Sequence, residues 1–230
     1  GFTPFLDSLM RRSLVFKGYA NGEKSIDGIP AILSGIPSLM TGPFITSTYA
    51  GNKINSIAGL LKSKGYSTAF FHGGTNGTMG FEAYTKIAGF DRYFGRSEYN
   101  NENDFDGKLG IFDEEFLQFT SQKMDQMNRP FVAAVFTLSS HHPYTVPEKY
   151  KGRFPKGELD IHESIGYSDF ALKQFFNTVS TTDWFDSTLF VLTADHTYQG
   201  NYSSYRTSIG KYSIPIVFYQ SGKYWGTQGA

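Results

Sequence analysis

The sequence predicts an α/β fold with a largely parallel sheet, and three observations predict it. Short apolar runs of strand length alternate with helical patterns along the chain. The runs are nearly continuous rather than alternating, as in strands covered on both faces. Each run ends in Gly, Ser or His, residue types that close a strand. With 230 residues the chain can bury one sizeable core, so a single domain over residues 1–230 is expected.

Four segments read as strands: GYSTAFFHGG at 65–74, PFVAAVFTLSSHH at 130–142, STLFVLTADH at 187–196 and SIPIVFYQSG at 213–222. Helical patterns lie between them. NSIAGLLKSKG at 55–65 ends in a glycine suited to a C-terminal cap, and DEEFLQFTSQKMDQM at 113–127 opens with acids that favour the positive end of a helix. In the segment 161–179, Ile161, Ile165, Leu172, Phe175, Phe176 and Val179 form one apolar stripe. The region 92–110 is polar and rich in Asn, Asp and Gly, which reads as a long surface loop.

Composition excludes several chemistries. There is no cysteine, hence no disulfide, thiolate metal site or cysteine nucleophile. Lys plus Arg and Asp plus Glu both number 21 and form no basic block, which argues against nucleic acid as a partner. No apolar run approaches the roughly 18 residues of a bilayer span.

In open α/β sheets ligands bind beyond the carboxyl ends of the strands. Four of the five histidines fall at that edge: His72 after the first run, His141 and His142 after the second, and His196, beside Asp195, after the third. Only His162 lies elsewhere. Asp and His are ligands for zinc or manganese, although two are fewer than the four a stable site needs. A lone Asp195 would read as a turn or capping residue, but its histidine neighbour and its place at a strand end favour the ligand reading. Ser25 sits where a polar Gly-containing turn meets IDGIPAIL, a candidate helix. Its hydroxyl is either a helix cap or a metal-activated nucleophile facing a phosphate.

Three further features invite a role. Asp169 falls on the apolar stripe of 161–179, where a carboxylate must find donors; the expected partner is a strand-end loop. In ENDFDGKLGIFD, residues Glu102, Asp104, Asp106, Gly107 and Asp113 match EF-hand loop positions, but the end acids are exchanged and no entering helix precedes them. A solvated acidic loop is the simpler reading. Tyr198, Tyr202 and Tyr205 follow Asp195 and either line a cleft or cover the site.

Taken together, NGEKSIDGIPAILSGIPSL, FFHGG with GFDRYFG, GIFDEEF, TLSSHHPY, YSDFALKQFF, TADHT and IPIVFY resemble the lipoteichoic acid synthase-like, or phosphoglycerol transferase, branch of the sulfatase and alkaline phosphatase superfamily. The blocks keep the family order over residues 1 to about 220. The resemblance implies an alkaline-phosphatase/sulfatase-like α/β sandwich with a mostly parallel central sheet flanked by helices. It implies Ser25 as nucleophile and metal contact, Asp195 and His196 as metal ligands, and His72 and His141 as substrate-binding residues, His141 with a catalytic part as well. His142 is then the lesser neighbour. The implied cofactor is one divalent metal, manganese favoured and zinc or magnesium possible. The implied partners are a phospholipid or glycan-linked phosphodiester, with the whole protein membrane-anchored and this domain on the extracytoplasmic side.

Two departures accompany the resemblance. The family's remaining metal ligand is a carboxylate on a strand preceding PFLDSL. The sequence starts at Gly1, so an N-terminally truncated domain without that ligand is expected. The segment HGGTNGTMGF contains no arginine, where lipoteichoic acid synthases place an aromatic–asparagine–arginine cluster. Two and four residues after Ser25 stand Asp27 and Ile29 instead of the Pro and Arg that formylglycine conversion in sulfatases requires, so an unmodified hydroxyl and phosphoryl chemistry are expected. Ester hydrolysis on the same scaffold is the alternative, and an inactive glycan-binding relative the second.

Overall fold

Unit by unit, the fold follows from where the apolar runs find hydrogen-bonding neighbours. The computed structural model describes residues 1–198, 200 and 202–225; Gln199 and Asn201, within and just after the TADHTYQG stretch, lie outside it. The chain forms two compact units, each assembled from three separate stretches.

The first unit holds residues 1–9, 65–78 and 90–185. Its sheet has the order β3-β2-β4, with β2 (Ser67–His72) in the middle and β3 (Arg92–Phe94) and β4 (Phe131–Phe136) parallel to it on either side. Ala69 lies opposite both Arg92 and Ala133. Only β2 has the fully covered pattern expected of all the runs: Thr68 through His72 are buried. Around the sheet stand α1 (Pro4–Met10, all but its last residue), α5 (Arg96–Tyr99), α6 (Asp113–Asp125) and α7 (Ile161–Val179). The α7 stripe buries Ile161, Phe175, Phe176 and Val179, while Ile165 and Leu172 are half-exposed. Tyr167, Ser164 and Ala171 make up the rest of its deep face.

The second unit holds residues 10–64, 79–89 and 186–230. Its sheet, β1-β6-β5, is antiparallel throughout: β1 (Leu14–Tyr19) pairs with β6 (Ser213–Tyr219), which pairs with β5 (Phe190–Thr193). The parallel arrangement is thus found in one sheet, and the other has antiparallel edges on both sides of β6. Helices α2 (Ser25–Ser34), α3 (Ile57–Lys62) and α4 (Phe81–Ile87) belong to this unit. Ser56 caps α3 by accepting the Gly59 amide, and it donates to the Ala88 carbonyl.

The expected loop at 92–110 is corrected. It contains β3, α5 and a 3-10 turn at Glu102–Asp104. Aromatic stacking overrides the polar composition: Phe94 lies on Phe71 (4.8 Å, 10°) and Tyr93 on Phe70 (5.8 Å, 20°), adding this short strand to the sheet. One of its acids, Glu98, serves as a cap by accepting the Gly95 amide at 2.7 Å. Among the described residues no helix is long and apolar enough to cross a membrane.

Candidate functional site

Ser25 is the first residue of α2 rather than its cap: the N-cap is Lys24, extended and without a side-chain bond. The hydroxyl is therefore not spent on capping. Ser25 is 6% exposed. The first-turn amides of a helix lack intrahelical acceptors, so Ser25 sits where an anion is favoured. The helix is a poor one by local propensity, with Gly28 and Pro30 inside it, and is held by burial of Ile29 and Leu33 and a left-handed Gly35 cap at φ 63°.

Gly28 explains the propensity cost. A Cβ there would lie 2.5 Å from the Asp195 carbonyl oxygen, so α2 reaches the Asp195 backbone only because position 28 has no side chain. The same approach is tied from the other side. Thr197 Oγ1 donates to the Lys211 carbonyl, and Lys211 Nζ (2.7 Å) and Tyr212 OH (2.9 Å) both donate to Glu23, two residues before Ser25. The Lys211 bond, then that of Tyr212, hold the Glu23 carboxyl below its usual pKa. An open hollow of about 510 Å³, lined by Asn21, Gly22, Glu23, Asp27 and Tyr212, adjoins this turn.

Asp195 and His196 form a donor pair. Asp195 Oδ1 accepts the His196 amide at 3.0 Å, while its Oδ2 is buried without a hydrogen-bond partner. The His196 Nδ1–H donates to the Thr197 carbonyl at 2.9 Å, which fixes the tautomer and leaves the Nε2 lone pair for a ligand. Nε2 and the orphaned Oδ2 lie 3.8 Å apart. Two donors each about 2.1 Å from a shared cation lie roughly 3.4 Å apart at a tetrahedral angle, so the pair fits a divalent metal with a small adjustment. An unpaired buried carboxylate oxygen is costly and needs such an explanation. Among the described residues no group of three or more His, Asp or Glu could hold a metal, and Asp195 and His196 are two adjacent side chains of ligand type.

The other unit carries His72, at the end of β2, and His141, in the segment that follows the adjacent parallel strand β4. His72 ends β2, is 2% exposed and stacks on Phe136 at 5.1 Å. Its Nδ1 lies 3.1 Å from Tyr93 OH. Burial pushes its pKa down to about 4, so it is a neutral imidazole near pH 7. His141 lies five residues past β4 and is exposed; its Nδ1–H donates to the His142 carbonyl at 2.9 Å, leaving Nε2 as the ring atom for a ligand. Tyr144, at φ 62°, closes this turn in a left-handed conformation that costs a non-glycine residue about 1 kcal/mol or more, a kind of strain that clusters at functional sites. His142 is exposed, with its ring against Tyr144 at 5.6 Å. His162 is stacked on Phe2 at 4.1 Å.

One expectation is corrected here, and one disfavoured reading finds no support. Asp169 binds a helix start, not a strand-end loop: its two oxygens accept the Phe5 (2.9 Å) and Leu6 (2.8 Å) amides of α1. The EF-hand match dissolves, because its carboxylates are engaged separately. Glu102 pairs with Arg96, Asp104 with Tyr99, Asp106 with the amides of residues 108–110, and Asp113 is buried inside the fold. Tyr198, Tyr202 and Tyr205 are exposed, the last two with ring centroids 6.5 Å apart. Loop 72–78 is pinned by Asn76, which accepts the Ser97 amide and donates to Glu98.

Sequence reasoning missed Gly28, because nothing local announces that a carbonyl from residue 195 will pass over it. It also missed the work of Asp113, whose position at the opening of a helix was legible but whose partners were not.

The chain is similar to known proteins. Lipoteichoic acid synthase 2 of Bacillus subtilis is 28% identical over 153 residues, 64% of this chain and 23% of that protein. Phosphoglycerol transferase I of Escherichia coli is 23% identical over 220 residues, 86% of this chain and 28% of that protein. The chain thus spans about a quarter of the length of these curated relatives. A crystal structure of a protein in the alkaline phosphatase superfamily from Vibrio parahaemolyticus superposes with a TM-score of 0.84 at 28% identity, covering 95% of this chain and 54% of that one. The fold is accordingly alkaline phosphatase-like α/β. The Sulfatase family model matches residues 2–225, taking in Ser25, His72, His141, Asp195 and His196 alike, and the chain belongs to the sulfatase family.

Proposed function

We propose that residues 1–230 form one catalytic domain of a metal-dependent phosphoryl transferase that acts on phosphoglycerol-type or related phosphodiester donors. The observation that carries this is the close approach at Gly28 of α2, the helix that opens with the buried Ser25, to Asp195, the residue whose carboxylate has an orphaned oxygen. The interleaving of the two units along the chain supports treating them as one domain.

In this reading Ser25 Oγ attacks phosphorus, a Ser25 O–P bond forms, and the bond from phosphorus to the donor's alcohol oxygen breaks. An acceptor hydroxyl, or water, then takes the phosphoryl group from Ser25 and restores the hydroxyl. Asp195, His196 and Ser25 would hold the divalent metal, manganese favoured, with zinc or magnesium as alternatives. Bound there, the ion would lower the pKa of the serine hydroxyl and neutralise charge on a phosphoryl oxygen. His141 is assigned to the phosphoryl group and to protonating the leaving alcohol oxygen. His72, kept neutral by burial, is assigned to substrate binding as a hydrogen-bonding group. The donor is a phospholipid or glycan-linked phosphodiester. The whole protein is proposed to be membrane-anchored, with this domain on the extracytoplasmic side, as the similarity to a lipoteichoic acid synthase supports.

Ester hydrolysis is the second reading. It is favoured by one observation, the absence of arginine from the segment HGGTNGTMGF, whose Asn76 is instead committed to Ser97 and Glu98. The decisive experiment is Ser25→Ala in the whole protein, assayed with a lipid phosphodiester bearing a glycerol head group. Turnover is expected to vanish while the melting temperature holds, and mass spectrometry of the active protein should find the phosphoglycerol adduct on the Ser25 peptide. Undiminished turnover by the alanine variant would sink the reading. The product separates transfer from hydrolysis: lengthened acceptor in one case, free glycerol phosphate in the other.

A further inference from the structure

The motif GIFDEEF places an acid at the opening of α6, where the helix dipole alone would account for it. The structure gives that acid a more specific set of partners. Asp113 is 2% exposed, and both of its oxygens are used. Oδ1 accepts two successive backbone amides beyond β4, those of Leu138 (2.9 Å) and Ser139 (3.0 Å). Oδ2 accepts the Ser168 hydroxyl of α7 at 2.9 Å, and the Asp113 amide donates to Ser139 Oγ at 3.0 Å. One side chain thus ties the starts of two elements, α6 and the segment after β4, to the middle of α7.

The histidine turn comes directly after the clamped residues. The His141 amide donates to the Leu138 carbonyl at 2.9 Å, and the Tyr144 amide donates to the His141 carbonyl at 2.8 Å. The residue that Asp113 grips by its amide is therefore the one whose carbonyl starts the turn carrying His141. We propose that Asp113 is a positioning residue for His141: its buried carboxylate fixes the Leu138–Ser139 backbone from which the His141 imidazole is presented. The inference deepens the proposed function and rests on its assignment of His141 to substrate. A lone oxygen accepting two amides is supplied equally by a carboxylate, a carboxylic acid or an amide, so the clamp requires geometry more than charge. Asparagine can reproduce it, with its NH2 donating to Ser168 Oγ.

The experiment compares variants of the whole protein: Asp113→Ala, Asp113→Glu, Asp113→Asn, His141→Ala and the double variant Asp113→Ala/His141→Ala. Asp169→Ala serves as a control, removing a neighbouring buried carboxylate that holds α1 and not the turn. Two readouts are taken, the NMR signal of the His141 ring and kcat/KM for a lipid phosphodiester with a glycerol head group. Asp113→Ala and Asp113→Glu are expected to move the ring signal and lower kcat/KM by about a hundredfold, the scale of an ångström-level misplacement. Asp113→Asn should restore both, and Asp169→Ala should lower the melting temperature while leaving both unchanged. The double variant Asp113→Ala/His141→Ala should match His141→Ala alone. If Asp113→Ala does not fold, Asp113→Glu, which keeps the charge, carries the comparison. An unmoved ring signal in the Ala or Glu variant overturns the clamp, as do penalties of Asp113→Ala and His141→Ala that add. Full turnover by His141→Ala would instead overturn the role given to His141, while the ring signal still decides on the clamp.

Discussion

At the residue scale, the costs are set by single atoms. Replacing Gly28 by alanine gains helix propensity of about 1 kcal/mol, yet the new methyl would sit 2.5 Å from a backbone oxygen that cannot rotate away. Overpacking wins, and a net loss of about 1–3 kcal/mol in urea denaturation is expected, together with a displaced Asp195. His72 gives a pH dependence of definite sign. Its pKa is about 4 when folded and 6.5 in the reference state, so the unfolded chain binds more protons between those values. Its contribution is complete above pH 6.5 and is lost as pH falls toward 4. From pH 7.5 to pH 5 the loss attributable to His72 is about 2 kcal/mol. Denaturation of wild type and His72→Gln at both pH values measures it, and an equal drop in the two proteins would show that His72 is not the titrating group. The Asp and His residues of the proposed site could be singled out in the sequence because polar groups at the end of an apolar run are costly there without a purpose. Gly28 was not, since a close approach is a property of two segments and only one of them is local.

At the element scale, α1 depends on a residue far from it in sequence. A seven-residue helix is too short to be stable by itself, and Asp169 takes two of its first-turn amides. Asp169→Ala is expected to cost about 1.5–3 kcal/mol per charged bond lost and to expose the Phe5 and Leu6 amides to hydrogen exchange ahead of β2. Retained protection of those two amides would contradict the anchor. Helices α6 and α7 were legible because each combines an apolar stripe with a recognisable start or length. The strand β3 was hidden, since three residues carry no periodicity and only Phe71 and Phe70 opposite them reveal the pairing. The antiparallel sheet was hidden for a related reason: β1 lies among charged and exposed positions, and direction of pairing leaves no mark in an apolar run.

At the scale of the molecule, neither unit is a continuous piece of chain, and the polypeptide passes between them five times. A fragment cut at the 89/90 and 185/186 boundaries separates strands from their sheet neighbours. Residues 90–185 expressed alone contain β3 and β4 but lack β2, the neighbour both need, and are expected to give collapsed amide dispersion in NMR. A well-dispersed spectrum would show that the strand order is not needed for folding. The alternation of strands and helices made the α/β class legible, whereas the division into units was not, because it depends on long-range pairing. That central place of β2 has a consequence during synthesis. Ser67 pairs with Phe131, 64 residues later, so at roughly 5–20 residues per second the ribosome exposes the Phe70–Phe71 edge for about 3–13 seconds before β4 exists to cover it. In that interval the nascent chain presents an open hydrogen-bonding edge with two phenylalanines on it, a natural place for a chaperone to bind.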